Sequence, residues 1–345
     1  MEKDHAASTS PTKQLHDLSE NIRKQYGTPS AIAFYQAVMG GGGHHIHFGI
    51  VQHAQHFPNA ASKVRSAGEA AVSFLTQQVQ KFQPLPSAMR ILDVGSGLGG
   101  AAHVLAKTHG VYVVGLNLCA QQNQVMLEES KRQQTQHLIT AKLGNFDHPW
   151  PTDWEQSFDL VWSQEAFCHS TNKYKLFQQI HQALVQDGML AFTDIMAGEE
   201  ASAEQLRSFT DQNATTEMAT PAVVKDLLAK TGFKLLQHDD LTAHLPAYLQ
   251  AMIDALDASK PKLTQQHDVD EAYMHAFRSG LERRIQSVHQ GVFRWGAFVA
   301  RKDNKPHAAQ HTTQDSSTYS RSTLPVKISM HAPTQMPEHT QKRHS

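Results

Sequence analysis

Several things are scarce in this chain, and each absence excludes something. Only two cysteines, Cys119 and Cys168, occur in 345 residues, too few for a disulfide framework or a cysteine-built zinc or iron–sulfur centre. No apolar run approaches the roughly 20 residues of a bilayer-spanning helix, so no membrane partner is expected. Residues 1–10 are polar and lack the apolar stretch of a secretory signal, and a cytoplasmic location is expected. Bulk charge is missing too. Lys and Arg total 31 against 32 Asp and Glu, a net of −1, and there is no basic stripe of the kind that binds nucleic acid. Histidine is plentiful, with 23 copies. They are scattered, and none forms a His-x-x-x-His pair on a helical pattern near a carboxylate, so no metal is expected.

The length allows one large domain with appendages. Residues 1–17 and 303–345 hold few large apolar side chains, so both are expected to be disordered tails; the second carries five Lys or Arg and three Asp or Glu. Residues 18–83 read as a helical cap or lid, broken by a conspicuous glycine loop at 40–49. From 84 to 302 strand and helix signals alternate. Strands are expected at 90–94, 111–116, 137–143, 158–162, 189–194, 233–238 and 291–301. Helices are expected at 101–108, 121–133 and 173–185, the last with apolar residues at Leu176, Phe177, Ile180 and Leu184. Asp187-Gly188 reads as a turn. Thr220 caps another helix, with Pro221 at its first position and Gly232 beyond its end. A helical insertion at about 240–290 precedes the last strand. The alternation predicts an α/β fold, a Rossmann-like, mostly parallel sheet with helices on both faces.

The strongest local signal is Ile91-Leu92-Asp93-Val94-Gly95-Ser96-Gly97-Leu98-Gly99-Gly100. A buried strand ends and turns sharply into a helix. Gly95 and Gly97 lack a Cβ, so a ligand can approach the backbone closely. Gly95-x-Gly97-x-x-Gly100 formally fits a dinucleotide loop. Asp93, two residues before the first glycine, instead suits a binder of S-adenosylmethionine (SAM). Asn117 ends the second strand, 22 residues after Gly95, where a ribose-binding side chain belongs. An amide can bond a ribose hydroxyl, but its presence in place of an acid weakens the nicotinamide reading more. A purely structural turn is the third possibility. Asn145 and Phe146 follow the third strand and suit an adenine, and residues 162–170 follow the fourth, at the crevice where open α/β sheets bind ligands.

Over roughly residues 22–302 the chain resembles Class I SAM-dependent methyltransferases. It is most similar to the sarcosine/dimethylglycine N-methyltransferases that make glycine betaine. The resemblance is carried by Phe34-Tyr35, Gly40-Gly41, Ile46-His47-Phe48-Gly49, residues 92–102, Leu116-Asn117-Leu118, residues 161–167 with His169-Ser170, Asp240-Leu241-Thr242 and His244-Leu245-Pro246. Phosphoethanolamine N-methyltransferases are similar too, through the glycine loop, the pair Gln25-Tyr26 and His169. They have an arginine where this chain has Gln164, a poor phosphate partner. The loop 40–45 is about two residues longer than the betaine pattern, and Met39 replaces a tryptophan.

The resemblance implies S-adenosyl-L-methionine as cofactor, held by Gln25, Asp93, Gly95, Ser96, Gly97, Gly99, Asn117, Leu118, Gln122, Asn145, Phe146, Ser163 and Gln164. It implies a Tyr26–His169 dyad closing over the site. Methyl transfer to an amine needs a collinear, water-free arrangement and a nitrogen without its proton, so His169 is the candidate base. A quaternary ammonium product favours aromatic faces, at about 0.5–2 kcal/mol each. Tyr35, His47, Trp162, Tyr248 and Trp295 are therefore expected around the substrate, with Phe34 and Phe48 also available. Arg207 or Lys173 could meet a substrate carboxylate, His44 and His45 suggest a mobile lid, and Cys168 reads as packing. The expected partner is a small amine, sarcosine or dimethylglycine, and the expected assembly a monomer or homodimer. The alternatives are a methyltransferase of another small molecule (a phosphobase, a secondary metabolite or a ring) and a non-catalytic SAM-binding regulator.

Overall fold

A computed structural model describes residues 20–303, apart from 21, 53–55, 213–214 and 216–217. The tails expected at 1–17 and 303–345 lie outside the described residues, Asp303 excepted. Seven strands build one sheet: β1 (Arg90–Val94), β2 (Tyr112–Asn117), β3 (Ile139–Leu143), β4 (Phe158–Gln164), β5 (Leu184–Ala197), β6 (Phe233–Asp240) and β7 (Phe293–Lys302). Their spatial order is β3-β2-β1-β4-β5-β7-β6. The first five run parallel. β7 is antiparallel to both β5 and β6, because the helical insertion brings the chain back in the reverse direction. The mostly parallel α/β sheet expected from the alternation is the one observed.

Successive residues of the central strands serve opposite faces. Ile91, Leu160, Trp162, Ala191 and Val299 belong to one apolar cluster. Their neighbours Leu92, Val161, Leu190, Phe192 and Phe298 belong to a second. A sheet buried on both faces explains why its strands read as continuous apolar runs. The first cluster meets α1 (Pro29–Val38), α2 (Ala60–Gln80), α8 (Leu245–His267) and α9 (Glu271–His289); the second meets α5 (Lys173–Ala183) and α7 (Pro221–Lys230). Also on the sheet are α3 (Gly100–His109) and α4 (Ala120–Arg132), while α6 (Ala203–Gln212) follows β5.

Local chemistry starts these helices. The Thr28 side chain accepts from the Ala31 N–H, and Pro29 opens α1. Asn59 and Ser62 form a reciprocal capping box on α2. Thr220 accepts from the Val223 N–H with Pro221 next, as its sequence position implied. Three expectations shift. The helix expected at 173–185 stops at Ala183, and β5 begins at once with Leu184. Asp187-Gly188 is not a turn between elements but an excursion inside β5. Strand pairing jumps from Phe158↔Leu184 to Leu160↔Met189, and Asp187 takes φ +61, as a bulge requires. The helix α6, which is mostly polar outside Leu206 and Phe209, was not anticipated.

Candidate active site

The order of strands reverses at β1, whose neighbours are β2 and β4. The crevice beyond its carboxyl end is where such sheets take ligands. An open cavity of about 1060 Å³ lies there. After Val94 the turn is held by the Gly95 N–H donating to Leu116 O at 2.8 Å and the Gly99 N–H to Ser96 O at 2.8 Å. Gly95 and Gly97 adopt φ +78 and +52, the left-handed region that penalises side chains. A Cβ on Gly95 would stand 2.3 Å from Ala166 Cβ, and one on Gly97 2.8 Å from Ile46 Cδ1. The loop is thus a backbone cradle pinched between residues 46 and 166.

Polar side chains ring this cradle. Asn117 donates through Nδ2 to Gly97 O at 3.3 Å and Gln122 Oε1 at 3.0 Å, and its Oδ1 accepts from the Leu118 N–H at 3.0 Å. Gln122 donates to Tyr26 O at 3.0 Å, tying the first described turns of the chain to the cofactor side. Asp93 is buried, and burial pushes its carboxyl up to about 7. Ser96 Oγ and Gln164 Nε2 are closed off from solvent with no hydrogen-bond partner. Leaving such groups unmet costs about 1–3 kcal/mol each. A bare backbone cradle with unmet polar atoms beside it fits the nucleoside-type donor expected from the sequence. The residues able to hold that donor are Asp93, the 95–97 backbone, Asn117, Asn145 and Gln164.

Of the residues singled out in the sequence, the structure gathers many on the cavity wall: Tyr26, His47, Asp93, Gly95, Ser96 and Gly97, then Asn117, Leu118 and Gln122, then Asn145, Phe146, Gln164 and His169. The Tyr26 and His169 rings meet edge to face with centroids 6.0 Å apart. His169 Nδ1 lies 3.5 Å from Thr215 Oγ1.

Others stand off the wall. Gly99 faces Met126, 2.3 Å from a Cβ it does not have. Ser163 is buried beneath the loop, donating to Val94 O at 2.7 Å. Gln25 supports Tyr35 with a 3.3 Å bond to its hydroxyl. Three of the aromatics expected to cage the substrate are core side chains that hold the wall. Trp162 donates to Gln164 Oε1 at 3.2 Å, and Trp295 to Glu165 Oε1 at 2.7 Å. The single Tyr248 hydroxyl proton is shared between Met39 O at 3.0 Å and His47 O at 2.9 Å. Each buries its ring and spends its polar tip on a neighbour. Tyr35 packs behind Tyr26, the two rings tilted with centroids 4.8 Å apart. Arg207 is exposed on α6, and the Lys173 ammonium donates to Ser170 O. Cys168 is buried, and its thiol is raised well above the usual range by burial.

The loop at 40–49 is ordered by histidines. His47 Nδ1–H donates to Phe48 O at 2.8 Å, since a carbonyl can only accept. Burial holds this imidazole neutral, with a pKa of about 4. Its Nε2 therefore accepts from His45 Nδ1, 3.0 Å away. His44 and His45 press on the start of α3, where a Cβ on Gly100 would meet His45 Nδ1 at 2.6 Å and His44 O at 2.7 Å.

The sequence reading missed Glu165. It lines the cavity, in the left-handed region at φ +50, a costly conformation that tends to mark functional sites. Its Oε2 accepts from the Phe48 N–H at 2.9 Å, and its Oε1 from Trp295. Burial pushes this carboxyl up to about 7 against the opposing pull of the bonds from Trp295 and Phe48. Asp194, behind it, is likewise raised to about 7 by burial. An acid at the end of β4, in a segment already singled out, was the available signal. No described helix is long and apolar enough to cross a membrane.

Comparison with known proteins adds the following. The family model described as mycolic acid cyclopropane synthetase matches residues 47–292. The chain is 30% identical over 280 residues to the glycine/sarcosine/dimethylglycine N-methyltransferase of Actinopolyspora halophila, covering 81% of this chain but 46% of that protein. It is 28% identical over 283 residues to the sarcosine/dimethylglycine N-methyltransferase of Halorhodospira halochloris, covering 82% and 96%. A crystal structure of a provisionally assigned sarcosine dimethylglycine methyltransferase from Galdieria sulphuraria superposes with a TM-score of 0.72 at 25% identity, covering 81% of this chain and all of that one. The chain therefore spans just under half the length of the first relative and nearly all of the second.

Proposed function

This chain belongs to the mycolic acid cyclopropane synthetase family, a group of SAM-dependent methyltransferases, and from that premise we propose that its acceptor is the nitrogen of sarcosine or dimethylglycine, with glycine betaine as the final product. The observation that carries the reading is the buried Glu165 carboxyl on the cavity wall, close to neutrality in its titration and held by two donors from distant parts of the chain. The relatives' named substrates agree with it.

When bound, S-adenosylmethionine supplies an electrophilic methyl group on a cationic sulfur. The chain's own residues do the rest. Asp93, Asn117, Gln164 and the 95–97 backbone hold the donor. The Phe48 and Trp295 donors fix the Glu165 oxygens, so the carboxylate needs no reorganisation to face an amine that gains positive charge as it is methylated. His169 takes the proton that the acceptor ammonium must lose, and Tyr26 closes the wall beside it. The apolar surroundings that raise the Glu165 carboxyl also exclude water, which strengthens its pull on the developing cation.

Incubation with methyl-labelled SAM and a panel of amines tests this. Label is expected first on dimethylglycine or sarcosine. Label confined to phosphoethanolamine, or to no amine, would refute the assignment.

A further inference from the structure

The proposed base rides on very little regular structure. His169 ends a single 3-10 turn, Phe167–His169, closed by the His169 N–H donating to Ala166 O at 3.1 Å and the Ser170 N–H to Phe167 O at 3.0 Å. One such turn does not hold its shape unaided. It must be fastened from outside, and two carboxylates do so. Asp194, on β5, accepts from the Cys168 N–H at 3.2 Å. Asp147 grips the chain beyond the turn. Its Oδ1 accepts from the Ser170 hydroxyl at 2.6 Å, and its Oδ2 accepts from the Thr171 N–H and the Thr171 hydroxyl, both at 2.8 Å. Hydrogen bonds to a carboxylate are roughly twice as strong as those between neutral groups. Both Asp147 oxygens are thus engaged by the two residues that follow His169.

The origin of Asp147 gives this grip its meaning. It belongs to the loop after β3 and lines the cavity beside Asn145 and Phe146, the pair suited to an adenine. That loop is itself braced. Asn145 Oδ1 accepts from the Asp147 N–H at 2.8 Å. Phe146 O accepts from Trp150 Nε1–H at 3.1 Å and from Gln179 Nε2–H at 3.0 Å. Gln179 lies on α5, whose cap, Asn172, donates its N–H to Ser170 Oγ at 3.2 Å. The loop after β3, α5 and the His169 turn therefore form one closed circuit, in which Asp147 joins the first to the last. Removing its carboxylate leaves the Asn145 bond in place, because that bond uses the Asp147 backbone, but unfastens the chain next to His169. Chemistry that depends on alignment tolerates little slack: a misplacement of about 1 Å can cost about 100-fold in rate.

We propose that Asp147 is a positioning residue for the transfer: it fixes the turn carrying His169 against the adenine side of the cofactor site, so that base and methyl donor keep one register. The inference rests on the role given to His169 above, and Asp147 acts through that residue alone.

The test is a double-mutant cycle in the full-length protein. D147A is expected to lower kcat with dimethylglycine on the order of 30-fold, while the KM and the SAM affinity by calorimetry change less than about threefold. D147N keeps one acceptor oxygen and should recover part of the loss. Adding D147A to H169A should slow H169A by no more than about twofold, since nothing is left to position. Losses that multiply would show a separate structural effect and overturn the role; D147N carries the same cycle if D147A does not fold. An H169A variant as fast as the parent would overturn both the base and its positioner. A second readout needs no acceptor. With isotope-labelled histidine, the His169 NMR signal, identified by its absence in H169A, should shift in D147A and D147N. An unmoved signal would overturn the role of Asp147 whatever the acceptor. A shifted signal, alongside a parent inert toward dimethylglycine, would uphold that role and refute the acceptor reading alone.

Discussion

Replacing Glu165 with glutamine separates what this residue costs the fold from what it does for the reaction. In the folded protein its carboxyl titrates at about 7, against 4.5 when unperturbed. Between those values the folded chain keeps a proton that the unfolded chain has lost. Stability therefore falls as pH rises through this window and levels off above 7. At about 1.4 kcal/mol per pH unit, the full cost is about 3 kcal/mol at pH 8 and nearly nothing at pH 4. Glutamine removes the charge but not without loss. Both oxygens of Glu165 accept hydrogen bonds, and an amide NH2 would confront one of those donors, at about 1–3 kcal/mol. That loss does not depend on pH, so the two effects separate. Thermal unfolding of E165Q and the parent should be followed by circular dichroism from pH 4 to 8.5. The midpoint of the variant relative to the parent should climb by on the order of 5 °C across that range. Asp93 and Asp194 are also raised to about 7, but they are present in both proteins. Relief of Asp194 from a neighbouring charge acts in the same direction. Turnover of E165Q should meanwhile drop about 100-fold, the scale of losing one preorganised electrostatic contact. A midpoint difference independent of pH would refute the buried-carboxyl argument, and undiminished turnover would remove Glu165 from the mechanism.

Other changes probe other parts of the wall. Gly97→Val should abolish SAM binding by calorimetry, because a left-handed φ and a Cβ 2.8 Å from Ile46 both displace the cradle; unaltered affinity would contradict the cofactor assignment. His169→Ala should lower kcat by about 100-fold or more with SAM affinity within a few-fold, whereas equal losses in both would make it a binding residue. Tyr248→Phe removes the one hydroxyl donor shared by the Met39 and His47 carbonyls, and should cost about 1–3 kcal/mol of stability, measured by denaturant unfolding.

What the sequence disclosed and what it withheld follow a physical division. The glycine loop, Asn117 and the Thr220 cap depend on residues close in sequence, and they were legible at that range. So was the mostly parallel sheet, since apolar strands alternating with amphipathic helices admit few arrangements. The destinations of aromatic tips were not. Trp295 reaches Glu165 across 130 positions and Tyr248 reaches His47 across 201, so nothing local distinguishes a core ring from a substrate cage. Glu165 was hidden for the same reason, its burial being set by Phe48 and Trp295. The excursion at Asp187 escaped notice because Asp-Gly signals a change of direction, without saying whether the strand resumes.

One short stretch borders both the glycine cradle and Glu165. Ile46 closes against Gly97, while two residues later the Phe48 amide steadies the Glu165 oxygens. Swinging this stretch aside to exchange the spent donor would also release the carboxylate. An acceptor arriving first would find its pocket half assembled. Ordered kinetics, nucleotide on first and off last, are the signature of such a shared hinge, and a random order in product-inhibition experiments would show that the two ends move independently.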